Sequence, residues 1–503
     1  MSNIGAGYND ILLYGLPVEA EWGTGTRVQV RALAHTWPLK LGPQASSAQH
    51  AKHQYSGLER LYRYLDLRLF GRSLPVAAAP VQIPCLDSLD DKNKCLHLAC
   101  CHEVADAAAG CPLLCVEYEG LPMLDLESAV RQRLGHPGAT LLAQVWCIEA
   151  GRARRLLFEG HLDLDHRSLC QSVAQCAAKL PALLRGALTR YPSAAEGTRG
   201  EVQPIPAALP AYRQLHRLAK AIVKRLMWRD QWQIETGQVA HPDRQGPGSQ
   251  RAQICPPPTA FWADPFLLHL QQRLWLLFEE LPFASNKGHI CAIELDRDGK
   301  PLSPPQIALV EPWHLAYPFV WAEEDRVFMI PDASKNRKLN LYQCRGSPLS
   351  WDLRCTLIAG ERLADATIAA FEGRLWMFAS HGDEQASMND TLHIYWADRI
   401  EGPWHAHALN PVKIDARSVR PAGAMWVADG QLYRVVQDCS SIYGGAIHCM
   451  RVLRLDEHEF EEVMEPHWEA SNRDQATPWH TFNRHAEVTV VDRLRRQPRW
   501  RTQ

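Results

Sequence analysis

The chain has 503 residues, 46% of them hydrophobic, and a formal net charge of −2. That length exceeds one ordinary hydrophobic core, so two domains are expected, and the near-neutral charge, with no basic tract interleaved with aromatics, speaks against nucleic acid as a partner. Met1–Leu16 lacks the basic start, long apolar run and small-residue cleavage site of a secretory signal, and no apolar stretch approaches the roughly 20 residues needed to cross a bilayer, so a cytoplasmic protein without a membrane span is expected.

Residues 1–50 are weakly patterned, with a strand-like Asp10–Tyr14 followed by segments rich in Gly, Thr and Pro. Tyr55–Phe70 places Leu58, Leu61, Tyr62, Leu65 and Leu69 at helical spacing with Arg60, Arg63 and Arg68 outward, which predicts an amphipathic helix. Leu113–Tyr118 and Leu141–Ile148 read as buried strands. Leu126–Leu134, with Asp125 as N-cap, and Ser168–Leu188 read as helices. This alternation predicts an α/β domain over residues 1–225. The 15 cysteines are odd in number and irregularly spaced, and they read as free thiols, many of them buried. In the densest group (Cys95, Cys100, Cys101, His102, Cys111, Cys115) only the last two approach the spacing of paired zinc ligands, and no second pair follows. Neither a metal site nor a cofactor is expected. A connector with Pro192, Pro204, Pro206 and Pro210 then leads into a basic helix, Tyr212–Trp228, read as a solvated linker face.

From Phe261 onward one grammar recurs. Leu267–Glu280, Phe319–Asp332, Ile368–Ser380 and Met425–Asp438 each read as strand, polar turn, strand, with the turns roughly 50 residues apart, the period of a propeller blade. A second hairpin type lies between them, in Ile290–Leu302, Leu339–Leu357, Leu392–Leu409 and Ile447–Val463. Two antiparallel hairpins per period supply the four strands of a blade. Gln231–Glu235 before the first unit and His480–Asp492 after the last would pair as a fifth blade and remove the free sheet edges. Residues 226–503 are therefore predicted to form an all-β, five-bladed β-propeller.

Two resemblances extend this reading. The run Leu58–Phe70, followed by Pro80-Val81 and the later strand–helix alternation, resembles the formyltransferase-type α/β domain that precedes a propeller in some bacterial proteins. Such domains present an Asn, a His and an Asp for formyl transfer. Where a His-rich segment belongs, this chain reads Leu114-Cys-Val-Glu-Tyr-Glu-Gly120, so the resemblance implies a degenerate domain kept for structure or for docking a partner protein. Trp262-Ala-Asp-Pro265, His314-Leu-Ala-Tyr-Pro-Phe319, Met329-Ile-Pro-Asp332, Asp365-Ala-Thr367, Gly402-Pro-Trp404, Arg420-Pro-Ala-Gly423, Gln437-Asp438 and His480-Thr-Phe-Asn483 follow in an order that resembles the propeller module of plant glucosamine inositolphosphorylceramide transferases and its bacterial relatives. That module is in turn similar to the five-bladed family 43 glycosidases.

The second resemblance implies site residues. An Ala-Asp-Pro motif supplies the general base in those glycosidases, which points to Asp264; Asp365 stands where they place an Asp that tunes the acid. Both also fit a plain structural use, as turn-initiating aspartates. The acid itself, a carboxyl of raised pKa across the sugar, is missing from the expected place, where Arg420 stands. Asp332 is the nearest substitute, at a position where the resembling modules have Glu. Arg420 suits a phosphate or a sugar carboxylate, or equally a buried ion pair with an axial aspartate. Asp438 joins the axial set, His314 and His480 either line the same mouth or serve structure as loop histidines, and Trp262 is left between stacking on a sugar and burial between blades. The expected ligand is a sugar or sugar-phosphate. The function is read as a glycosyltransferase-type enzyme, with a furanosidase-like glycoside hydrolase and a non-catalytic sugar-binding scaffold as alternatives.

Overall fold

The computed structural model describes residues 10–14, 24–36, 39–41, 56–70, 95–100, 112–134, 136, 138–149, 151–191, 210–238, 251–323, 325–383, 385–466, 468 and 478–499. Pro80-Val81, the connector prolines 192, 204 and 206, and Cys101, His102 and Cys111 lie outside them. The chain divides into two compact units, the first comprising Met1–Ala221 with Asp383–Ser387 and Ala408–Ala416, the second the remainder.

In the first unit a mixed sheet has the order Leu39–Leu41, Asp10–Tyr14, Cys95–Ala99, Leu113–Tyr118, Leu141–Ile148, Arg155–Leu162, with the short Leu121–Pro122 beside Leu113–Tyr118. The first three joins are parallel and the next two antiparallel. Leu113–Tyr118 is buried along its whole length, as its apolar start Leu113-Leu-Cys-Val116 demands, and the buried Glu117 is paired with Arg154. Helices cover Thr24–Thr36, Gly57–Phe70 and Leu126–Arg133. The span read as one helix is two, Leu169–Ala178 and Leu180–Arg190. Ser168 caps the first by accepting from the Gln171 N–H at 3.2 Å. Pro181 sets the break, because its ring excludes the hydrogen bond that would continue the helix through Lys179. Lys179 is 2% exposed and its ammonium donates to the Ser387 carbonyl. Asp125 occupies its N-cap position without a side-chain cap bond, since a 3₁₀ turn over Met123–Asp125 already carries the backbone into the helix.

The second unit holds five sheets whose neighbouring strands run antiparallel. Sheet I is Ala260–Leu270, Arg273–Pro282, His289–Leu295, Gln306–Leu309; sheet II is Ala316–Glu323, Arg326–Asp332, Lys338–Cys344, Trp351–Ala359. Sheet III runs Leu363–Phe371, Arg374–His381, Thr391–Ala397, His405–Ala406, and sheet IV Trp426–Ala428, Gln431–Asp438, Ala446–Leu455, Phe460–Met464. Sheet V joins distant parts of the chain: Phe482–His485 and Val488–Pro498 pair with Trp228–Gln238 and Arg251–Ile254. Gln231–Glu235 meets Arg495–Val491. The first hairpins of sheets I, III and IV turn on residues of positive φ, Gln271-Gln272, Glu372-Gly373 and Asp429-Gly430, the signature of a two-residue loop that matches strand twist.

Sheet faces pack in sequence. Phe266, Leu277, Phe319, Met329, Leu341 and Met377 form one core across sheets I to III. Phe378 of sheet III meets Phe460 of sheet IV edge-on at 5.9 Å. Val435 and Ile447 of sheet IV pack with Phe482 and Val491 of sheet V, and Ile234 and Val490 of sheet V pack with Phe278 and Ile293 of sheet I. A buried Arg434 holds Glu462 through two bonds, of 2.6 and 2.7 Å, and donates to the carbonyls of Val419 and Ser418. Among the described residues no helix is long and apolar enough to cross a membrane.

Candidate functional site

The leading strands of sheets I, II and III share one irregularity near their starts. Pairing slips between Ala263 and Phe266, between Ala316 and Phe319, and between Ala364 and Thr367. The residue after each alanine is left-handed: Asp264 at φ 52°, Tyr317 at 42° and Asp365 at 55°. A bulge aims the displaced side chain away from the ladder, and holding a non-glycine residue there costs on the order of 1–3 kcal/mol. The same strain, repeated three times, brings these three side chains into one buried cluster.

Asp264 is 5% exposed and both its oxygens are engaged. Oδ1 accepts from the Thr481 hydroxyl at 2.9 Å and Oδ2 from the Tyr317 N–H at 3.2 Å. His480 stands between two carboxylates, Nε2 3.4 Å from Asp264 Oδ1 and Nδ1 2.5 Å from Asp492 Oδ2. Asp492 also accepts from the backbone N–H groups of Asp264, His480 and Thr481. The imidazole stacks on Trp232 at 4.1 Å and meets the edge of Tyr443 at 5.3 Å. Burial alone would lower the His480 pKa, but Asp492 and Asp264 outweigh it and raise it. Burial raises the Asp264 pKa; His480 opposes that shift and Asp492 adds to it.

Asp365 lies beside them. Arg420 donates through Nε to its Oδ2 at 2.6 Å and through Nη1 to Asn389 Oδ1 at 2.9 Å, with the guanidinium 4.9 Å from the Tyr443 ring centre. Arg420 is therefore engaged in an ion pair with Asp365. Burial pushes the Asp365 carboxyl up to about 7, against the pull of Arg420 and with help from Asp332 and Asp264. Tyr317 is fully buried; its hydroxyl bonds Thr367 Oγ1 at 2.8 Å and both the N–H and the carbonyl of Gly423. It ties sheets II and III to the segment entering sheet IV and offers no ring face to a sugar. Gly423, at φ 146°, has no alternative there, since a Cβ would lie 1.9 Å from the Phe482 carbonyl.

Glu279, which nothing in the sequence singles out, belongs to the same cluster. It is 5% exposed in the second strand of sheet I, where burial, then repulsion by Asp264, Asp332, Asp365 and Asp492, raises its pKa well above the usual carboxylate range. His314 faces it, with Nε2 3.4 Å from Glu279 Oε1 while Nδ1 accepts from the Gly288 N–H at 2.8 Å. Asp332, 7% exposed, has one oxygen held by the Ser334 N–H at 2.6 Å. Asp438 is placed otherwise: it accepts from the Ser440 N–H and pairs with His448 at 3.5 Å. Trp262 is 5% exposed and packs against Phe278 at 5.1 Å, inside the core between sheets V and I. Asp264, His480 and Asp492 place one donor each within 4.8 Å of one another, and His480, its pKa raised by Asp492 and Asp264, already stands between the two carboxylates. A cavity of about 310 Å³, lined by Ala424, Met425, Trp426, Phe482, Asn483, Arg484 and Ala486, adjoins this region; Phe482 directly follows Thr481, and Asn483 Nδ2 donates to the Pro265 carbonyl at 2.7 Å.

Residues 249–496 match a family model described as glucosamine inositolphosphorylceramide transferase 1, N-terminal. The chain is 35% identical over 231 residues to glucosamine inositolphosphorylceramide transferase 1 of Arabidopsis thaliana, covering 45% of this chain and 30% of that protein. It is 35% identical over 212 residues to the protein of the same name from Oryza sativa subsp. japonica, covering 41% and 28%. The chain thus spans less than a third of the curated relatives it matches. Solved structures similar to it include a GH43_1 enzyme from Xanthomonas citri complexed with xylotriose, at TM-score 0.36 and 12% identity over 48% of this chain and 85% of that one. Another is a family 117 glycoside hydrolase from Zobellia galactanivorans, at TM-score 0.34 and 12% identity over 52% and 90%.

The matched stretch spans sheets I to IV, while the sheet V strand Trp228–Gln238 precedes it. It contains every residue of the buried cluster. Tyr317 was legible beside the aspartates, because Ala263-Asp-Pro-Phe266 and Ala316-Tyr-Pro-Phe319 align residue for residue. Asp492 and Glu279 carried no such signal, since each reads as an ordinary strand residue.

Proposed function

We propose that this is a carbohydrate-active protein of glycosyltransferase type, acting on a sugar or sugar-phosphate at the buried carboxylate cluster. The observation that supports it most is the convergence of Asp264, Glu279, Asp332, Asp365 and Asp492 with Arg420 and His480, contributed by four sheets and the segments that lead into sheet IV and into Phe482–His485. The family match over the same residues and the names of the plant relatives support the substrate class. In this reading the five sheets are the blades of a propeller closed by sheet V, Asp264 is the base or charge partner, Asp365 with Arg420 sets the local field, and Asp332 contacts the ligand. The adjoining cavity has the volume of a small-ligand site.

A second reading, a glycoside hydrolase, is favoured by Glu279. A carboxyl whose pKa is raised by burial and like charge is what a proton donor requires, and the sequence offers Asp332 as the nearest substitute for that role. For residues 1–225 we propose an α/β domain of degenerate formyltransferase type that docks a partner protein.

The test is a thermal-shift screen of nucleotide sugars, sugar phosphates and glycan fragments on the wild type and Asp332→Asn. Stabilisation of the wild type by one sugar class, weakened in the variant, supports the proposal. No stabilisation by any sugar, or equal response of both proteins, removes it in favour of a scaffold.

A further inference from the structure

In sheet I the strands Arg273–Pro282 and His289–Leu295 carry a second group of donors, apart from the carboxylate cluster. Glu280 stands directly opposite His289, and Cys291, two residues on, stands opposite Phe278. Side chains two apart on a strand leave the same face, so the three meet at one place on it. Cys291 belongs to the core between sheets V and I and is 1% exposed. The Glu280 and His289 side chains are 20% and 15% exposed, which leaves the group reachable from solvent.

One oxygen organises the three. The Cys291 thiol donates to Glu280 Oε2 at 3.2 Å, and His289 Nε2 lies 3.8 Å from the same oxygen. One donor atom from each residue falls within 4.8 Å of the other two. Among the described residues neither ring nitrogen of His289 carries a hydrogen bond. Burial lowers the His289 pKa against the pull of Glu280, so at neutral pH the ring offers a lone pair and no charge. Burial, then Glu280, raises the Cys291 thiol, which keeps its proton until a stronger acid replaces it. Lys287, the cation that acts on His289, turns its ammonium to the Glu311 carbonyl at 3.0 Å.

We propose that Glu280, His289 and Cys291 bind a divalent cation of the Zn²⁺ type, which takes the place of the thiol proton. A thiolate, an imidazole and a carboxylate are all zinc ligands, and together they leave the fourth tetrahedral position open to water. Bonds of about 2.3 Å to sulfur and about 2.0–2.2 Å to nitrogen and oxygen put tetrahedral neighbours about 3.3–3.6 Å apart. The two contacts at Glu280 Oε2, 3.2 and 3.8 Å, bracket that spacing. The third side of the triangle, no longer than 4.8 Å, closes by at most about 1.3 Å, and rotation of the partly exposed Glu280 and His289 side chains supplies it. As the metal–sulfur bond forms, the thiol proton leaves to solvent. The thiolate and the carboxylate then neutralise the dication, as a half-buried ion requires. The cation would also close the base of the turn over residues 283–288. The Gly288 N–H in that turn donates to His314 Nδ1, and His314 faces Glu279, so binding fixes the segment beside the carboxylate cluster. The site stands apart from the sugar-binding reading and survives its failure.

The experiment uses the full-length, untagged protein, reduced, stripped with a chelator, loaded with Zn²⁺ or Co²⁺ and dialysed. Mass spectrometry counts bound zinc, and cobalt reports a thiolate ligand through a charge-transfer band in the near ultraviolet. The other cysteines are shared by all variants, so the readout is a difference from wild type. Cys291→Ser keeps the size of the side chain and its hydrogen bond to Glu280 but removes the sulfur; His289→Asn removes a partly exposed ring. We expect each variant to retain one equivalent of zinc fewer than the wild type and to lose one thiolate's share of the cobalt band. Zinc should raise the melting midpoint of the wild type but not of His289→Asn, while these two metal-free proteins melt alike. Should Cys291→Ser fail to fold, His289→Asn carries the comparison alone. Equal metal content in wild type and His289→Asn, or no retained metal in the wild type, overturns the assignment and leaves a thiol–carboxylate hydrogen bond beside a neutral imidazole.

Discussion

Asp264→Asn is the most informative single substitution, because Asp264 is bonded on both sides. An amide has one acceptor and one donor where the carboxylate has two acceptors. If the amide oxygen faces Thr481, the new NH₂ group confronts the Tyr317 N–H, which is left buried without a partner. If it faces Tyr317, the NH₂ group confronts Thr481 and His480, whose charge keeps only Asp492. A buried donor left unsatisfied costs about 1–3 kcal/mol, so Asp264→Asn should destabilise the second unit by that amount even if Asp264 also serves catalysis. Thr481→Val removes one hydroxyl bond without touching charge and should cost about 1 kcal/mol. All the 17 tryptophans except Trp22, Trp37 and Trp146 lie in the second unit, so tryptophan fluorescence during urea unfolding reports on it. The expected order of midpoints is wild type, Thr481→Val, Asp264→Asn. An Asp264→Asn midpoint equal to wild type would refute the described bonding, and with it the structural half of the account.

Three further outcomes follow from the same geometry. Glu462→Gln strips the two-bond partner from Arg434, both side chains being at most 3% exposed; breaking such a pair should cost about 3–5 kcal/mol, read by urea denaturation, and a loss under 1 kcal/mol would contradict it. Gly288→Ala sets a Cβ 2.4 Å from both Glu279 Oε1 and the Leu315 carbonyl, so its melting midpoint should fall and His314 should lose its place beside Glu279; an unchanged midpoint counts against that packing. Asp365, raised from 3.8 to about 7, binds its proton more tightly folded than unfolded, so the stability it contributes declines as pH rises from about 4 to about 7. Asp365→Asn should lack a few kcal/mol of that decline, and parallel stability–pH curves for the two proteins would be the contrary result.

Much of the second unit was readable because local chemistry dictates it. Polar turns such as Asp429-Gly430 and Glu372-Gly373 allow the left-handed backbone that a tight hairpin needs, and the strands beside them carry buried runs such as Trp376–Ser380. The pairing of Gln231–Glu235 with the C-terminal strand followed from the need to cover a sheet edge. Other features depend on distant neighbours. Glu279 becomes an unusual carboxyl because packing buries it and then brings Asp264, Asp332, Asp365 and Asp492 close to it. Asp492 matters only because His480 lies against it. Asp438, in a motif that resembled an axial one, turns instead to His448, which sits ten residues on in the adjacent strand. Arg420 was left open between a ligand and an aspartate, and the bond to Asp365 settles its partner.

The central claim is that a sugar binds at the carboxylate cluster. Asp332 is the residue to change, because the Ser334 N–H holds only one of its oxygens and an Asn can keep that bond. Calorimetric titration of the sugar that best stabilises the wild type should then show affinity falling at least tenfold in Asp332→Asn, with the melting midpoint of the free protein little changed. Equal affinity in the two proteins would place the sugar elsewhere and contradict the account.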